Sequence, residues 1–295
     1  MKIGIVYPQI ELGGDPDAVR RIGLATEELG FSHLVVYDHV VGAEHADRDP
    51  KLWGPYTEND PFHDPFVMFG YLAGITKNIE LVSGVLILPQ RQTVLAAQQA
   101  ADVDLLSGER LRLGVGIGWN YVEYHALGED FATRGKRIDE QIGFLRRLWT
   151  EPLLSFEGEF DQIERGNINP RPKRQIPIWI GGFSEAAFRR GGTLGDGFIF
   201  AGNPDNARDG SSPIKDVLGG WDRVKHHLAE NGRSVDGYGA DYVTVGATSI
   251  DKVTDTLKRW EDAGGTHASV VTMGMELKTI EAHLDFMAEV RNKFS

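Results

Sequence analysis

The sequence predicts an α/β fold: a single-domain TIM (β/α)8 barrel with insertions at the face formed by the carboxyl ends of its strands. Short runs rich in Val and Ile recur along the chain, helical patterns lie between them, and no linker-like composition divides residues 1–295. Near-continuous hydrophobicity is typical of parallel strands that helices cover on both faces. About eight repeats of strand and helix favour a closed barrel, and a doubly wound open sheet is the alternative.

Each predicted element follows from its local pattern. The strands are the segments KIGIVYP, HLVVYDHV, IELVSGVLILP, RLRLGVGIG, IPIWIGG, DGFIFAG, DYVTVGA and HASVVTMG. Between them, apolar residues repeat on one helical face over residues 19–29, 138–149 and 250–260. Gly30 is expected to end the first of these helices, and Ser249 is expected to cap the start of the last.

Three polar stretches are too long to be minimal connections: residues 41–65, 151–175 and 203–216. The first and third directly follow strands, so in a barrel they would lie at the carboxyl-end face, where sites are built. The second is predicted to form a short hairpin followed by an extended proline-containing segment. Plain surface loops are the alternative for each stretch.

Composition excludes several classes of function. The net charge of −12 argues against binding to nucleic acid or to an anionic membrane surface, so an anionic ligand would need a local basic pocket. The lack of cysteine excludes disulfides, thiolate metal sites and cysteine nucleophiles. The sequence contains neither a signal-peptide pattern nor an apolar run of the ~20 residues that span a bilayer. These observations predict a soluble, cytoplasmic protein.

Two predicted strands end in residues that could act on a ligand. The segment YDHV places Asp38 and His39 at the end of the second strand, where both side chains can reach the mouth of a barrel. Histidine is the usual proton carrier near neutral pH, although an isolated histidine is more often structural. The pair Ser83–Gly84 interrupts the third strand, which indicates a bulge or a close approach of the backbone to a ligand.

The segment GVGIGW ends the fourth predicted strand with three alternating glycines. Its G-x-G-x-G spacing differs from the G-x-G-x-x-G of dinucleotide-binding folds. Gly114, Gly116 and Gly118 instead remove side chains from one side of the strand, so that a flat ligand could lie against the backbone. Relief of crowding inside the barrel is the alternative, and it is favoured for Gly114.

The segment IWIGGFSEAAFRRGG predicts a strand that leads into a capped helix. The strand ends at Gly181 and Gly182, and Ser184 can cap the helix, whose exposed N–H groups could bind phosphate. Arg189 or Arg190 could supply positive charge, and the alternative is an ordinary helix with solvated arginines. No zinc-protease, EF-hand or G-x-S-x-G pattern occurs, so we predict no metal site and no serine hydrolase.

Taken together, these segments resemble the luciferase-like monooxygenase superfamily, and most of all its branch of oxidoreductases that use the deazaflavin coenzyme F420. The resemblance covers nearly the whole chain, and the order and spacing of its segments are specific. It is carried by YDHV, SGVLILPQRQTVLAAQQAADVDLLSGERLRLGVGIGWNYVEYHALG, RGKRIDEQIGFLRRLWT, SFEGEF and PIWIGGFSEAAFRRGGTLGDGFI. It implies a barrel with extra loops at its mouth.

The resemblance also implies cofactor-binding residues. Relatives hold the isoalloxazine ring over a bulge with a non-prolyl cis peptide, which would be Gly84–Val85 here, next to Ser83. The phosphate would meet the helix after Gly181 and Gly182, with Arg189 or Arg190 as the counter-charge. The end of the fourth strand would contact the ring edge or the ribityl chain through Gly116, Ile117, Gly118, Trp119 and Asn120.

The activity that the resemblance implies is hydride transfer between C5 of F420 and a carbon of a small-molecule substrate. His39 would handle the coupled proton, and Asp38 would orient or charge His39. Sugar-phosphate dehydrogenases of the family have a glutamate where this sequence has Trp119, which cannot carry that proton. We therefore expect a flatter or more apolar substrate that contacts Trp119 and Trp53, near Tyr56 and Phe62.

Two other functions share the same pattern, and one partner is expected. An FMN-dependent monooxygenase that uses reduced flavin and O₂ would have the same fold and ring pocket. A non-catalytic flavin-binding protein is the second alternative. Relatives commonly form homodimers through barrel helices, and the apolar stripes at residues 95–106 and 138–149 permit this, although a barrel core explains the same stripes.

Overall fold

The strands of the chain close into a barrel. A computed structural model describes residues 1–201, 213–245 and 249–294. The strands in these residues are β1 (Lys2–Val6), β2 (His33–Val36), β3 (Glu80–Ser83), β4 (Leu86–Ile87), β5 (Leu111–Gly116), β6 (Leu154–Glu157), β7 (Gln162–Gly166), β8 (Ile178–Gly181), β9 (Gly197–Ala201), β10 (Gly239–Val243) and β11 (His267–Val271).

Eight parallel strands form the barrel in the order β1, β2, β3, β5, β8, β9, β10 and β11. The pairing of β11 with β1, in the register His267 to Lys2, closes the ring. Closure confirms the predicted barrel and excludes the open sheet. The short strand β4 continues the chain beyond β3 and pairs with β5.

Helices surround the barrel between the strands. They are α1 (Pro16–Glu28), α2 (Pro65–Ile75), α3 (Thr93–Ser107), α4 (Tyr121–Ala126), α5 (Arg134–Thr150), α6 (Glu185–Leu194), α7 (Pro213–Glu230), α8 (Ile250–Asp262) and α9 (Ile280–Lys293). The three helices predicted from periodicity correspond to α1, α5 and α8, and Ser249 caps α8 as predicted. Among the helices of the described residues, none has the length and hydrophobicity that crossing a bilayer requires.

The predicted insertions occupy different places. Residues 41–65 connect β2 to α2 at the carboxyl-end face, and we call residues 41–64 the mouth loop. The second insertion contains the predicted hairpin, formed by the antiparallel strands β6 and β7. Residues 203–212 of the third insertion lie outside the described residues, and α7 begins directly after them at Pro213.

Apolar side chains fill two layers. The larger cluster lies between the strands and the surrounding helices, and it buries residues such as Ile22, Phe69 and Leu145 completely. A smaller cluster lies inside the barrel, with Val85 and Tyr37 packed against it; its buried members are Val6, Val35, Val82, Trp179, Ile199, Val243 and Val271. This inner cluster is packed side chains rather than an open channel, as barrels of this type require.

A buried polar network lies towards the amino ends of the strands and was not predicted. We call it the barrel-floor network; its members are His33, Glu80, Arg112, Asp241 and Ser269. An Arg112 Nη1–H donates to Asp241 Oδ2 (3.1 Å), and Ser269 Oγ–H donates to Oδ1 (2.9 Å). Glu80 Oε2 lies 3.4 Å from Arg112 Nε. The network thus places charged groups inside an otherwise apolar barrel.

The pKa values of this region follow from burial and from Arg112. Burial alone would raise the pKa of Asp241, but the contact with His33 and the positive charge of Arg112 hold it below its usual range. Burial lowers the pKa of His33, and Arg112 acts in the same direction. Burial lowers the pKa of His267 to about 3, and the positive charge of Arg112 contributes to this decrease. Both histidines are therefore neutral near pH 7, and Asp241 is ionised.

Candidate active site

The bulge at the mouth of the barrel lies between β3 and β4. The structure has a non-prolyl cis peptide at Gly84–Val85, where the resemblance places one. Ser83 is only 1% exposed, and its hydroxyl donates to the carbonyl of Gly114 (2.8 Å). Ser83 therefore ties β3 to β5 through its hydroxyl, and its predicted contact with the cofactor stays a prediction.

The glycines of neighbouring strands accommodate Val85. A Cβ atom on Gly116 would lie 2.5 Å from Val85 Cγ2, and one on Gly181 would lie 2.6 Å from Val85 Cγ1. The space that we predicted for a flat ligand is thus filled by the Val85 side chain, so these two glycines fix the bulge. A Cβ on Gly114 would lie 2.0 Å from the Ser83 carbonyl oxygen, which supports the crowding alternative for that glycine.

Asp38 holds the chain that follows the bulge. Its fully buried carboxylate accepts hydrogen bonds from the Ile87 N–H (2.9 Å) and from Arg91 Nη2 (2.7 Å). Burial raises the pKa of Asp38, and the charge of Arg91 opposes that increase. Within the described residues, no hydrogen bond joins Asp38 to His39. Adjacent residues at a strand end diverge, and the Asp38 carboxylate supports the bulge; its predicted role beside His39 stays a prediction.

Arg91 connects three elements and was missed by sequence reasoning. It bridges Asp38 and Asp64 (Nη2 to Oδ2, 3.0 Å), and Asp64 caps α2 by accepting from the N–H groups of Phe66 and Val67. Its side chain is nearly buried. The segment PQRQT shows only that an arginine follows a buried strand. The two aspartates that bind this arginine are 27 and 53 residues away, so local sequence does not reveal them.

His39 lies in a cluster of aromatic rings. Its ring centroid is 4.8 Å from that of Phe62, 5.1 Å from that of Tyr56 and 5.6 Å from that of Trp119. The mouth loop and the end of the fourth barrel strand thus meet around the histidine. On its other side, His39 Nδ1 lies 3.3 Å from Oε1 of Glu123, a residue of α4 that sequence reasoning did not select.

The two tryptophans predicted to contact substrate occupy different environments. Trp119 packs against the mouth loop: a Cβ on Gly54 would lie 2.4 Å from its ring, and the His45 ring approaches it edge-on at 5.9 Å. Trp53 is 73% exposed, and no ring contact joins it to Trp119 in the part of the chain that the structure describes. The structure brings Trp119, but not Trp53, to the cluster around His39.

The residues next to Trp119 serve the local fold. Gly118 has a φ of +61°, a conformation that favours glycine. The Ile117 carbonyl accepts a hydrogen bond from Tyr124 Oη (2.7 Å). Asn120 is 2% exposed; its Oδ1 accepts from the Val122 N–H at the start of α4, and its Nδ2 donates to the Val41 carbonyl. Both polar atoms of the Asn120 side chain thus have partners within the chain, and the predicted contact of Asn120 with the cofactor stays a prediction.

The candidate phosphate site at α6 has one available arginine. Ser184 Oγ accepts from the Ala187 N–H and caps the helix, as predicted. Arg190 is buried and ion-paired with Asp139, and its Nη2 donates to the Gly135 carbonyl (3.1 Å). Arg190 thus joins α6 to α5, and its predicted contact with the phosphate stays a prediction. Arg189 is exposed, and it remains the candidate counter-charge beside Gly181 and Gly182.

These two arginines give a paired prediction. Arg190→Ala should lower the free energy of unfolding by about 1–3 kcal/mol, because it removes a buried side chain together with its ion pair to Asp139 and its hydrogen bond to the Gly135 carbonyl. Arg189→Ala should leave the unfolding free energy within about 0.5 kcal/mol of the original value. Urea denaturation of both variants measures the difference. Equal stability of the two variants would contradict the assignment of Arg190 as the structural arginine.

Several polar atoms at the mouth have no hydrogen-bond partner. No described residue forms a hydrogen bond with them. They are buried atoms on the loop after β1 and at the end of the mouth loop: Tyr7 Oη, Gln9 Nε2, Glu11 Oε2 and His63 Nε2. Leaving a buried polar atom unpaired costs free energy. These atoms are suited to hydrogen bonds with a bound ligand.

Comparison with known proteins decides the family. The chain matches the family model described as luciferase-like monooxygenase over residues 1–251. The chain belongs to this family. A relative in Mycobacterium tuberculosis, an uncharacterized protein, is 32% identical to this luciferase-like protein over 282 residues, which are 90% of this chain and 91% of the relative.

Solved structures share the fold. A monooxygenase, RslO1 from Streptomyces bottropensis, superposes with a TM-score of 0.79 and 16% identity, over 99% of this chain and 98% of that one. An F420-dependent secondary alcohol dehydrogenase superposes with a TM-score of 0.76 and 14% identity, over 100% and 99% of the two chains. These structures show the shared barrel, and membership of the luciferase-like monooxygenase family makes the protein an enzyme.

Proposed function

We propose that this luciferase-like protein is an F420-dependent oxidoreductase that transfers a hydride between C5 of the deazaflavin and a carbon of a small organic substrate. The observation that carries this proposal is His39, held at the barrel mouth between Phe62, Tyr56 and Trp119. Oxidation of a carbon that bears a hydroxyl group also releases a proton, and a positioned histidine is the usual group to accept it. The bound cofactor would supply the hydride chemistry.

The residues of the site fit such a cofactor. The bulge at Gly84–Val85 is fixed from below by Asp38, which holds the Ile87 N–H, and from the sides by Gly116 and Gly181. We propose that the ring system rests on this bulge. The N-terminus of α6 and the exposed Arg189 would receive the phosphate, because helix N-termini and arginine both favour anions.

The side chains around His39 favour a flat or apolar substrate. Phe62, Tyr56 and Trp119 present aromatic surface there, and aromatic rings bind planar and apolar groups well. Trp119 cannot act as the acid that a sugar-phosphate dehydrogenase of this family uses at that position. Efficient turnover of glucose 6-phosphate would contradict this part of the proposal.

An FMN-dependent monooxygenase is the second candidate function. A specific similarity favours it: the pyrimidine monooxygenase RutA of Allorhizobium ampelinum is 34% identical over 154 residues, which are 50% of this chain and 42% of that relative. The match spans less than half of the relative. A structural neighbour with a TM-score of 0.72, a type II Baeyer–Villiger monooxygenase, is described as a complex with FMN.

Cofactor titration separates the two candidates. We expect purified protein to bind oxidised F420 with a micromolar Kd, followed by the change in deazaflavin fluorescence, and to bind FMN more weakly. Arg189→Ala should weaken binding of F420 by about 10- to 100-fold, since it removes one charge-assisted hydrogen bond, worth about 1.5–3 kcal/mol. Tight binding of FMN without binding of F420 would overturn the first proposal in favour of the second.

We further propose that the protein forms a homodimer through α2 and α3. Five large apolar side chains on these helices are exposed: Val67, Tyr71, Val94, Leu95 and Leu106. The stripe on α5, which was the other predicted dimer surface, is instead packed against the barrel, with Ile138 and Leu145 fully buried. An exposed apolar face of this kind is suited to a second copy of the chain.

Charge substitution on this face tests the homodimer. Leu106→Glu with Val67→Glu should convert the dimer to a monomer in light scattering, because burying two unpaired carboxylates costs several kcal/mol. Leu153→Glu, which changes a similarly exposed leucine outside α2 and α3, is the control and should leave the mass unchanged. A monomeric unmodified protein, or a doubly substituted protein that stays dimeric, would contradict this surface.

A further inference from the structure

One carboxylate oxygen of Glu123 contacts three consecutive residues, His39, Val40 and Val41. The side chain is 2% exposed, and Oε1 accepts hydrogen bonds from the N–H groups of Val40 (2.8 Å) and Val41 (3.1 Å). The same oxygen lies 3.3 Å from His39 Nδ1. A buried carboxylate is costly unless it is fully hydrogen-bonded, so this arrangement accounts for a glutamate in the interior at α4.

The contact with His39 defines which ring nitrogen carries the proton. A carboxylate oxygen can only accept a hydrogen bond, so Nδ1 must be protonated for the contact to be favourable. In the neutral ring, Nε2 then carries the lone pair. No residue in the described parts of the chain hydrogen-bonds Nε2, so this atom is available to a ligand.

We propose that Glu123 is a positioning residue, which fixes His39 in the Nδ1-protonated form and thereby makes Nε2 the proton acceptor of the site. This inference rests on the proposed function, in which His39 handles the substrate proton. In the oxidation of an alcohol, the hydroxyl proton would move to Nε2, and a bound oxidised deazaflavin would supply the acceptor for the hydride that leaves the carbon. The imidazolium that forms lies beside the Glu123 carboxylate, which stabilises its charge.

The same oxygen also anchors the start of the mouth loop, and a test must separate the two roles. Tyr121 provides a matched control, because it lies two residues before Glu123 and anchors the mouth loop at another point. Its hydroxyl donates to the Pro50 carbonyl (2.8 Å), and the bond has no part in the His39 contact. Tyr121→Phe removes a loop anchor alone, whereas Glu123→Ala removes an anchor together with the His39 partner.

The first measurement is the tautomer of His39 in the cofactor-free protein. Nitrogen-15 NMR of histidine-labelled protein distinguishes protonated from unprotonated ring nitrogens, and His39→Gln identifies the His39 signals. At a pH where the ring is neutral, we expect protonated Nδ1 in the unmodified protein and in Tyr121→Phe. Glu123→Ala should shift His39 towards the other tautomer, and Glu123→Gln should keep Nδ1 protonated, because its amide oxygen still accepts.

The second measurement is turnover with the cofactor that the protein binds. Glu123→Ala should lower kcat/KM by about 10²-fold, the lower end of what a positioned acid–base group contributes. The kcat/KM of Glu123→Gln should be about tenfold higher than that of Glu123→Ala, since glutamine keeps the tautomer of His39 but lacks the negative charge. Tyr121→Phe should match the unmodified protein.

Three results would overturn the inference. They are protonation of Nε2 in the unmodified protein, an unchanged tautomer in Glu123→Ala, and a Tyr121→Phe variant that reproduces the Glu123→Ala effects. Failure of the proposed function gives a different result: F420 does not bind or is not turned over, while the NMR result for His39 is as expected.

Discussion

Replacing Asp241 with alanine is expected to lower the free energy of unfolding by about 3–5 kcal/mol, the usual cost of leaving a buried charge without its partner. Asp241 is 0% exposed and accepts hydrogen bonds from Arg112 and Ser269. Without it, the buried Arg112 guanidinium keeps only the Glu80 contact and its stacking on the Trp179 ring, 4.2 Å from the centroid. The loss should be measured by urea denaturation at pH 7.

Two variants control this experiment. Asp241→Asn keeps the shape of the side chain and an acceptor for Ser269 but removes the charge, so we expect a smaller loss than for alanine. Asp222→Ala removes an exposed partner of Lys225 and should change the unfolding free energy by about 1 kcal/mol or less. If the unfolding free energy of Asp241→Ala stays within about 1 kcal/mol of that of the original protein, Asp241 is not the charge partner that stabilises the buried Arg112 guanidinium.

Replacing His39 with alanine is expected to lower kcat by about 10²–10⁴-fold while the cofactor Kd changes little. The two effects separate because the bulge beneath the proposed ring is held by the side chains of Asp38 and Arg91, and among the described residues no side-chain hydrogen bond joins either of them to His39. Steady-state turnover and fluorescence titration on the same variant measure the two quantities. A combined loss of binding and turnover would instead place His39 in the cofactor site.

His45→Gln is the matched histidine control. His45 also contacts the Trp119 ring, and its Nε2 hydrogen-bonds the Tyr56 carbonyl (3.0 Å) within the mouth loop. We expect it to lower kcat by about tenfold or less, since it affects the loop rather than a proton transfer. Unchanged turnover in His39→Ala would remove the histidine from the mechanism.

The barrel could be predicted from sequence because its strands are nearly continuous apolar runs. The barrel-floor network could not, because each of its members is an isolated polar residue in or beside such a run. Arg112 within LRLGVG and Asp241 within GADYV are separated by 129 residues, and closure of the barrel brings them together. A single charged residue in a predicted strand is expected to face solvent unless its partner is known.

The parts of the candidate site that depend on a few adjacent residues could be predicted from the sequence. The Gly84 bulge, the capped start of α6 and the position of His39 at a strand end each follow from a few adjacent letters of sequence. The roles of Asp38, Ser83, Asn120 and Arg190 depended on partners elsewhere in the chain. Asp38 and Arg91 are 53 residues apart, and Arg190 and Asp139 are 51 apart. Spacing alone carries no information about such pairs.

The position of Val85 between Gly116 and Gly181 has a consequence for the depth of the site. The backbone of a glycine lies on each side of Val85. Backbone cannot move aside by changing rotamer, as a flexible side chain can. The height of the floor on which the proposed ring would rest is therefore set by the spacing of the fourth and fifth barrel strands. Val85 acts as a fixed spacer, and differences in ligand selection between proteins with this bulge would then depend on the loops around the mouth.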